Sequence, residues 1–172
     1  KNYEKILLEL IEKYQNTKNG FYANISKLPK GIKGLIYYKI IIIKDNNINL
    51  NCLSSNESYK LIDSLDENLY FKVCKILGIL LDNAIEATKN TVSKNILIDI
   101  YVENNSIIIY VENDFKGKVD LYKINKKGYS TKGNNRGYGL NIVNKIIKKD
   151  SNLSLEQNIK NKKFVSILEI KF

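Results

Sequence analysis

Two stretches decide how this chain reads: ILGILLDNAIEAT, from Ile76 to Thr88, and STKGNNRGYGL, from Ser130 to Leu140. The first has the apolar content of a buried helix, interrupted by a few polar groups. At 100° per residue, Asp82, Asn83 and Glu86 fall within an arc of about 100° on that cylinder. Such a stripe faces solvent, a partner or a ligand, and a plain solvent-exposed edge is the simplest of the three. The asparagine is the odd member, since it neither caps nor ends the helix although its intrinsic helix preference is poor. The second stretch carries Gly133, Gly137 and Gly139 with Lys132 and Arg136 among them, and a helical pattern follows at once. Glycines let a backbone approach an anion closely, and N–H groups at a helix start attract phosphate. A loop that is merely rich in Gly and Lys is the competing reading. The P-loop pattern GxxxxGK[ST] is absent, and Gly137-x-Gly139 lacks the third glycine of a dinucleotide fold.

Outward from these stretches, the pattern predicts a long central helix from Asp66 to Lys89, with Asp66 as N-cap and Glu67 in the first turn. Ile96, Ile98, Ile100 and Val102 alternate with polar residues, Asn104-Asn105 offers a turn, and Ile107, Ile109 and Val111 alternate again. That is a hairpin with one buried face. Helical periodicity resumes over Leu140–Lys149, and a final strand pair is expected near Leu153–Ile159 and Phe164–Phe172. A short edge strand is expected at Asn46–Asn51. Gly34–Lys44 reads from its residues as buried helix or strand, with the β-branched run favouring the latter. Phe115–Asn135 is long, polar and lysine-rich, as a mobile lid would be. Helices on one face of a mixed, mostly antiparallel sheet define an α+β two-layer sandwich.

The ordered set DNAIEA, hairpin, STKGxxRGxGL resembles the N box and G2 box of the GHKL ATP-binding superfamily. The likeness is strongest to the catalytic domains of sensor histidine kinases of the AgrC-like peptide-pheromone receptor type. It implies the Bergerat fold, ATP and Mg²⁺ as cofactors, and helix for Gly34–Lys44. It assigns Asn83 as the Mg²⁺ ligand, and Lys132, Gly133, Arg136, Gly137, Gly139 and Leu140 to the phosphates, with Asn83 and Lys132 as the catalytic pair. Val111-Glu112-Asn113-Asp114-Phe115 stands where the superfamily shows VxDxG, so Asn113 takes the place of the adenine-reading Asp; Asp114 is the alternative. Ile79, one turn before Asn83, stands where hydrolytic members carry a water-activating Glu. Isoleucine cannot act as a base, which favours phosphoryl transfer over hydrolysis.

The resemblance covers roughly Lys33 to Phe172. Tyr3, Leu7, Leu10 and Tyr14 form a narrow apolar seam, so residues 1–29 are expected to be the remnant of a second dimerisation-stalk helix with its linker, and residues 30–172 the catalytic domain. A chain without Met that starts on Lys1 reads as a fragment of a longer protein. The implied whole is a membrane-anchored quorum-sensing receptor with a cytoplasmic kinase domain. It would work as a homodimer, pass the γ-phosphate to a His on a stalk helix absent here, and serve a response regulator. A GHKL ATPase or anti-sigma-type Ser/Thr kinase is one alternative, and a non-catalytic basic interaction module with a degenerate nucleotide site is another.

Bulk composition narrows the field. With 172 residues and 44% hydrophobic content the chain can bury one good core. Lys, Asn and Ile dominate, as AT-rich coding would produce. The net charge of +10 favours anionic partners, yet the lysines are dispersed and no aromatic interleaving marks a base-stacking platform for nucleic acid. Zero His closes imidazole chemistry, and Cys52 and Cys74 fit no metal or redox spacing. No apolar run approaches the length of a membrane span, and Ile40–Ile43 is far short of one.

Overall fold

The computed structural model describes Ile25, residues 27–121 and residues 138–172. Its elements are α1 (Lys30–Asp45), β1 (Asn49–Ser54), α2 (Asn56–Asp63), α3 (Glu67–Thr88), β2 (Asn95–Glu103), β3 (Ser106–Asp114), α4 (Gly139–Ile147), β4 (Leu153–Lys160) and β5 (Lys163–Lys171). The five strands lie in the order β1-β2-β3-β5-β4. β1 runs parallel to β2 and the other neighbours are antiparallel, which makes the sheet mixed.

Residue period places one strand face against the helices. The register pairs Ile98 with Val111, Val111 with Ser166 and Ser166 with Gln157, so these residues stand on the same face. Ile96, Ile98, Ile100, Ile107, Ile109, Leu168 and Ile170 fill most of that face, and Val73, Ile76, Leu77, Leu80 and Leu81 of α3 cover it. Each fully buried aliphatic side chain contributes roughly 1.5–3 kcal/mol, so this layer is the main source of stability.

α3 starts as its sequence dictates. Asp66 Oδ1 accepts from the N–H groups of Asn68 and Leu69 at 3.0 Å each, satisfying two donors that a helix start leaves open. α1 has Pro29 before its first turn and no side-chain cap; instead the Tyr70 hydroxyl of α3 accepts from Ile32 N at 3.2 Å. That contact needs glycine at position 31, because a Cβ there would stand 2.6 Å from the same hydroxyl. The β2–β3 turn is made by Asn104 and Asn105, both at positive φ as a primed hairpin turn requires.

Two expectations are corrected. The edge strand is Asn49–Ser54 and not Asn46–Asn51, because Asn46 and Asn47 finish α1. Asn46 Nδ2 donates to Ile42 O at 2.7 Å, Asn47 sits at φ 52, and Ile48 N donates back to Ile43 O at 3.0 Å, so the chain is free to extend only from Asn49. The sequence reading also has no helix between the edge strand and α3. α2 is there because Ser55 caps it, accepting from Ser58 N at 3.0 Å, with Glu57 in its first turn. The stalk seam of Tyr3, Leu7, Leu10 and Tyr14 lies outside the described residues, as does most of the expected lid.

Candidate nucleotide site

The sheet's helix-facing layer loses its apolar character at one end. There Asn113 of β3, Ser166 of β5 and Gln157 of β4 replace aliphatic residues. Over this polar patch lies a cavity of about 230 Å³, walled on the opposite side by the C-terminal half of α3 and closed at one edge by Leu140 of α4. Asn83 and Glu86 line it, as do Asn113, Gln157 and Ser166. Asn83 of the DNAIEA segment and Asn113 of the Val111–Phe115 segment, 30 positions apart, therefore face one cavity from opposite layers.

The helix stripe divides in the folded chain. Asp82 is turned away from the cavity lining, and its carboxylate takes the Nζ of Lys39 from α1 at 2.5 Å. Asn83 remains exposed on the cavity side. Among the described residues no group of three or more His, Cys, Asp or Glu side chains is placed to hold a metal ion. One neutral amide oxygen is a poor metal site by itself. It does fit Mg²⁺ that arrives with phosphate oxygens and waters, since that ion accepts few protein ligands and keeps several waters.

At the sheet end, Asn113 and Asp114 do different work. Asn113 is 3% exposed and lines the cavity; its Nδ2 donates to Asp114 O at 2.7 Å. A carbonyl only accepts, so this bond fixes which end of the amide is nitrogen and makes Oδ1 the acceptor. Asp114 points to the other side, where its carboxylate accepts from Ser93 Oγ and Asn95 N at 2.7 Å each and from the Lys163 ammonium. Its backbone carbonyl accepts from Thr88 Oγ1 at 3.0 Å, tying the end of α3 to the end of β3. Burial opposes ionisation of Asp114, but the bonds from Lys163, Ser93 and Asn95 outweigh it and hold the carboxyl below its usual range. Asp114 thus knots the scaffold and is not among the residues that line the cavity.

Gly139 opens α4, as the sequence expects, but for a packing reason. A Cβ at that position would stand 3.0 Å from Ile79 Cγ2, so a larger residue would press on Ile79 where the first turn of α4 sits on α3. Ile79 is thereby the floor on which this turn rests. No side chain caps α4, and its first turn holds no acidic residue. Lys132, Gly133, Arg136 and Gly137 lie outside the described residues. Gln157 and Ser166 were not foreseen; the alternation of β4 and β5 with polar residues at inward positions is the signal that marks them. Cys52 is buried, and burial, with the nearby Asp99 charge, pushes its thiol up to about 12, which leaves it a small apolar core group.

Comparison with known proteins bears on the fold and the family. Residues 69–171 match the GHKL domain, and the chain belongs to that family. No curated protein matches it. Among solved structures, the catalytic domain of histidine kinase ThkA is similar at 22% identity over 83% of this chain and 90% of that one, with a TM-score of 0.63; ThkA has also been solved in complex with the response regulator protein TrrA. Histidine kinase AdeS of Acinetobacter baumannii is similar at 14% identity over 98% of this chain and 75% of that one, with a TM-score of 0.57. Full-length ShkA in complex with AMPPNP is similar at 13% identity over 83% of this chain but 29% of that one, with a TM-score of 0.61. The shared feature is the fold: a five-stranded mixed sheet with helices on one face, the GHKL Bergerat fold.

Proposed function

We infer that this chain is the ATP-binding catalytic domain of a two-component sensor histidine kinase of the peptide-receptor, AgrC-like type. The observation that carries the reading is the single cavity faced by Asn83 from α3 and Asn113 from β3. In this reading Asn83 offers its amide oxygen to the Mg²⁺ that accompanies the phosphates. Asn113, held as an acceptor by its bond to Asp114 O, takes a hydrogen from the adenine amino group as an Asp would. The segment Lys132 to Leu140 lies against the phosphates, with Lys132 and Arg136 supplying charge and the open first turn of α4 supplying N–H groups. The magnesium ion neutralises phosphate charge; the chain's own residues orient the nucleotide and exclude water, which is most of what phosphoryl transfer requires.

Ile79 favours transfer over hydrolysis. Packed under Gly139, its side chain has no group that could activate water. In this reading the acceptor is a His on a stalk helix outside this chain, which itself contains no His. A homodimeric receptor anchored by a segment outside this chain, with a response regulator as downstream partner, completes the reading; among the described residues no helix is long and apolar enough to cross a membrane. The chain is incubated with γ-labelled ATP and Mg²⁺, alone and with a stalk fragment that carries the acceptor His. Label in acid-labile, base-stable form on the stalk fragment, with little phosphate release by the chain alone, is the expected result. Steady release would favour an ATPase, and an acid-stable phosphoprotein a Ser/Thr kinase.

A further inference from the structure

Among the described residues, two buried side-chain polar atoms have no hydrogen-bond partner: Gln157 Oε1 and Asn158 Oδ1. Only Gln157 lines the cavity. Its Nε2 donates to Ser166 Oγ at 3.1 Å, and Ser166 is itself 4% exposed, so the amide is held at the inner end of the polar patch. An acceptor left this way costs free energy that water or a ligand donor must recover. The neighbours explain why nothing in the fold supplies it. The other inward positions of β4 are Leu153, Leu155 and Ile159, and those of β5 are Phe164, Leu168 and Ile170.

Two side chains that each carry an acceptor therefore line the same cavity from the same sheet face: Asn113 on β3, and Gln157 two strands away on β4, with Phe164 and Ser166 of β5 between them. An exocyclic amine carries two hydrogens and asks for such a pair. A 6-oxo purine offers a carbonyl oxygen there and meets only acceptors. We propose that Gln157 is a specificity-determining residue for the base, taking the second hydrogen of the 6-amino group, directly or through one ordered water, while Asn113 takes the first. This rests on the ATP-site reading above and extends it from the nucleotide to the edge of the base that is read. Turning the amide over does not serve as well, since it would bury two N–H donors where one acceptor stood.

The test is an equilibrium competition against a fluorescent ATP analogue with Mg²⁺, comparing ATP with purine riboside triphosphate, which has hydrogen in place of the 6-amino group. Wild type should prefer ATP. In Gln157→Leu the preference should shrink by about tenfold, the worth of one hydrogen bond, with the affinity for the deamino nucleotide little changed. Gln157→Glu keeps an acceptor oxygen at the same place and should keep the preference. Thermal unfolding of each variant identifies any that fail to fold, and Gln157→Met, which removes the acceptor at nearly the same side-chain length, takes the place of the Leu variant if that one does not fold. An unchanged preference in Gln157→Leu, or an equal loss for both nucleotides in a folded variant, overturns the assignment while leaving the ATP site standing. Wild type that binds neither nucleotide overturns both.

Discussion

Asp114→Ala and Asn113→Leu, one residue apart, should separate the scaffold from the site. The Asp114 side chain is 7% exposed, and removing it strands Asn95 N–H, Ser93 Oγ and the Lys163 ammonium. Breaking a buried ion pair by deleting one partner costs about 3–5 kcal/mol. Lys163, at 28% side-chain exposure, can regain part of its hydration, which puts the expected cost near the lower end, about 3 kcal/mol. For a chain of this size the melting midpoint should fall by about 6–12 °C. Urea unfolding followed by far-ultraviolet circular dichroism measures the loss, and an ATP titration on the folded protein measures the site. Asp114→Ala should lose stability and bind ATP within about threefold of wild type. Asn113→Leu should keep its stability and lose ATP, because an adenine edge would be buried without a partner. A fully stable Asp114→Ala that no longer binds ATP, beside an Asn113→Leu that does, would refute the division of labour.

Gly139→Ala should weaken ATP binding by pressing the first turn of α4 against Ile79, and Ile79→Ala in the same chain should recover part of the loss by removing the Cγ2 methyl that the new Cβ meets; ATP affinity of the single and double variants reports this coupling. Acid should unfold the protein through three carboxyls. Asp114 is held low by its bonds against the opposing effect of burial, Asp150 by the Lys72 ammonium, and Glu169 by the Ser154 and Ser106 hydroxyls. Folded values below the ordinary 3.8 and 4.5 mean that this stability is present at higher pH and is lost as pH falls below about 4.5. Unfolding midpoints across pH 3–6 should show that fall, and Asp114→Asn should flatten it.

Much of this fold was legible because the signals were local and redundant. Asp66 caps α3 as read, the Asn104-Asn105 turn sits where the alternation breaks, and the terminal strands agree to within a residue or two at each end. What the sequence hid depends on contacts far apart in the chain. The β-branched run of α1 reads locally as strand, and its helical state comes from packing on α3, where Lys39 reaches Asp82. That same pair removes Asp82 from a stripe that looked uniform. The different surroundings of Asn113 and Asp114 could not be read from spacing, since they turn on Ser93, Asn95 and Lys163 gathering around one carboxylate. Gln157 stayed invisible because an isolated inward glutamine on an edge strand has no meaning until the cavity above it is seen.

Mg²⁺-dependent nucleotide binding through Asn83 is the central claim. Isothermal titration of wild type and Asn83→Ala with ATP, each with Mg²⁺ and with a chelator, measures it. Wild type should bind ATP tightly only with Mg²⁺, and folded Asn83→Ala should show the weak affinity that wild type has in chelator, with no response to the ion. Equal affinities for the two proteins in Mg²⁺ would contradict the central claim.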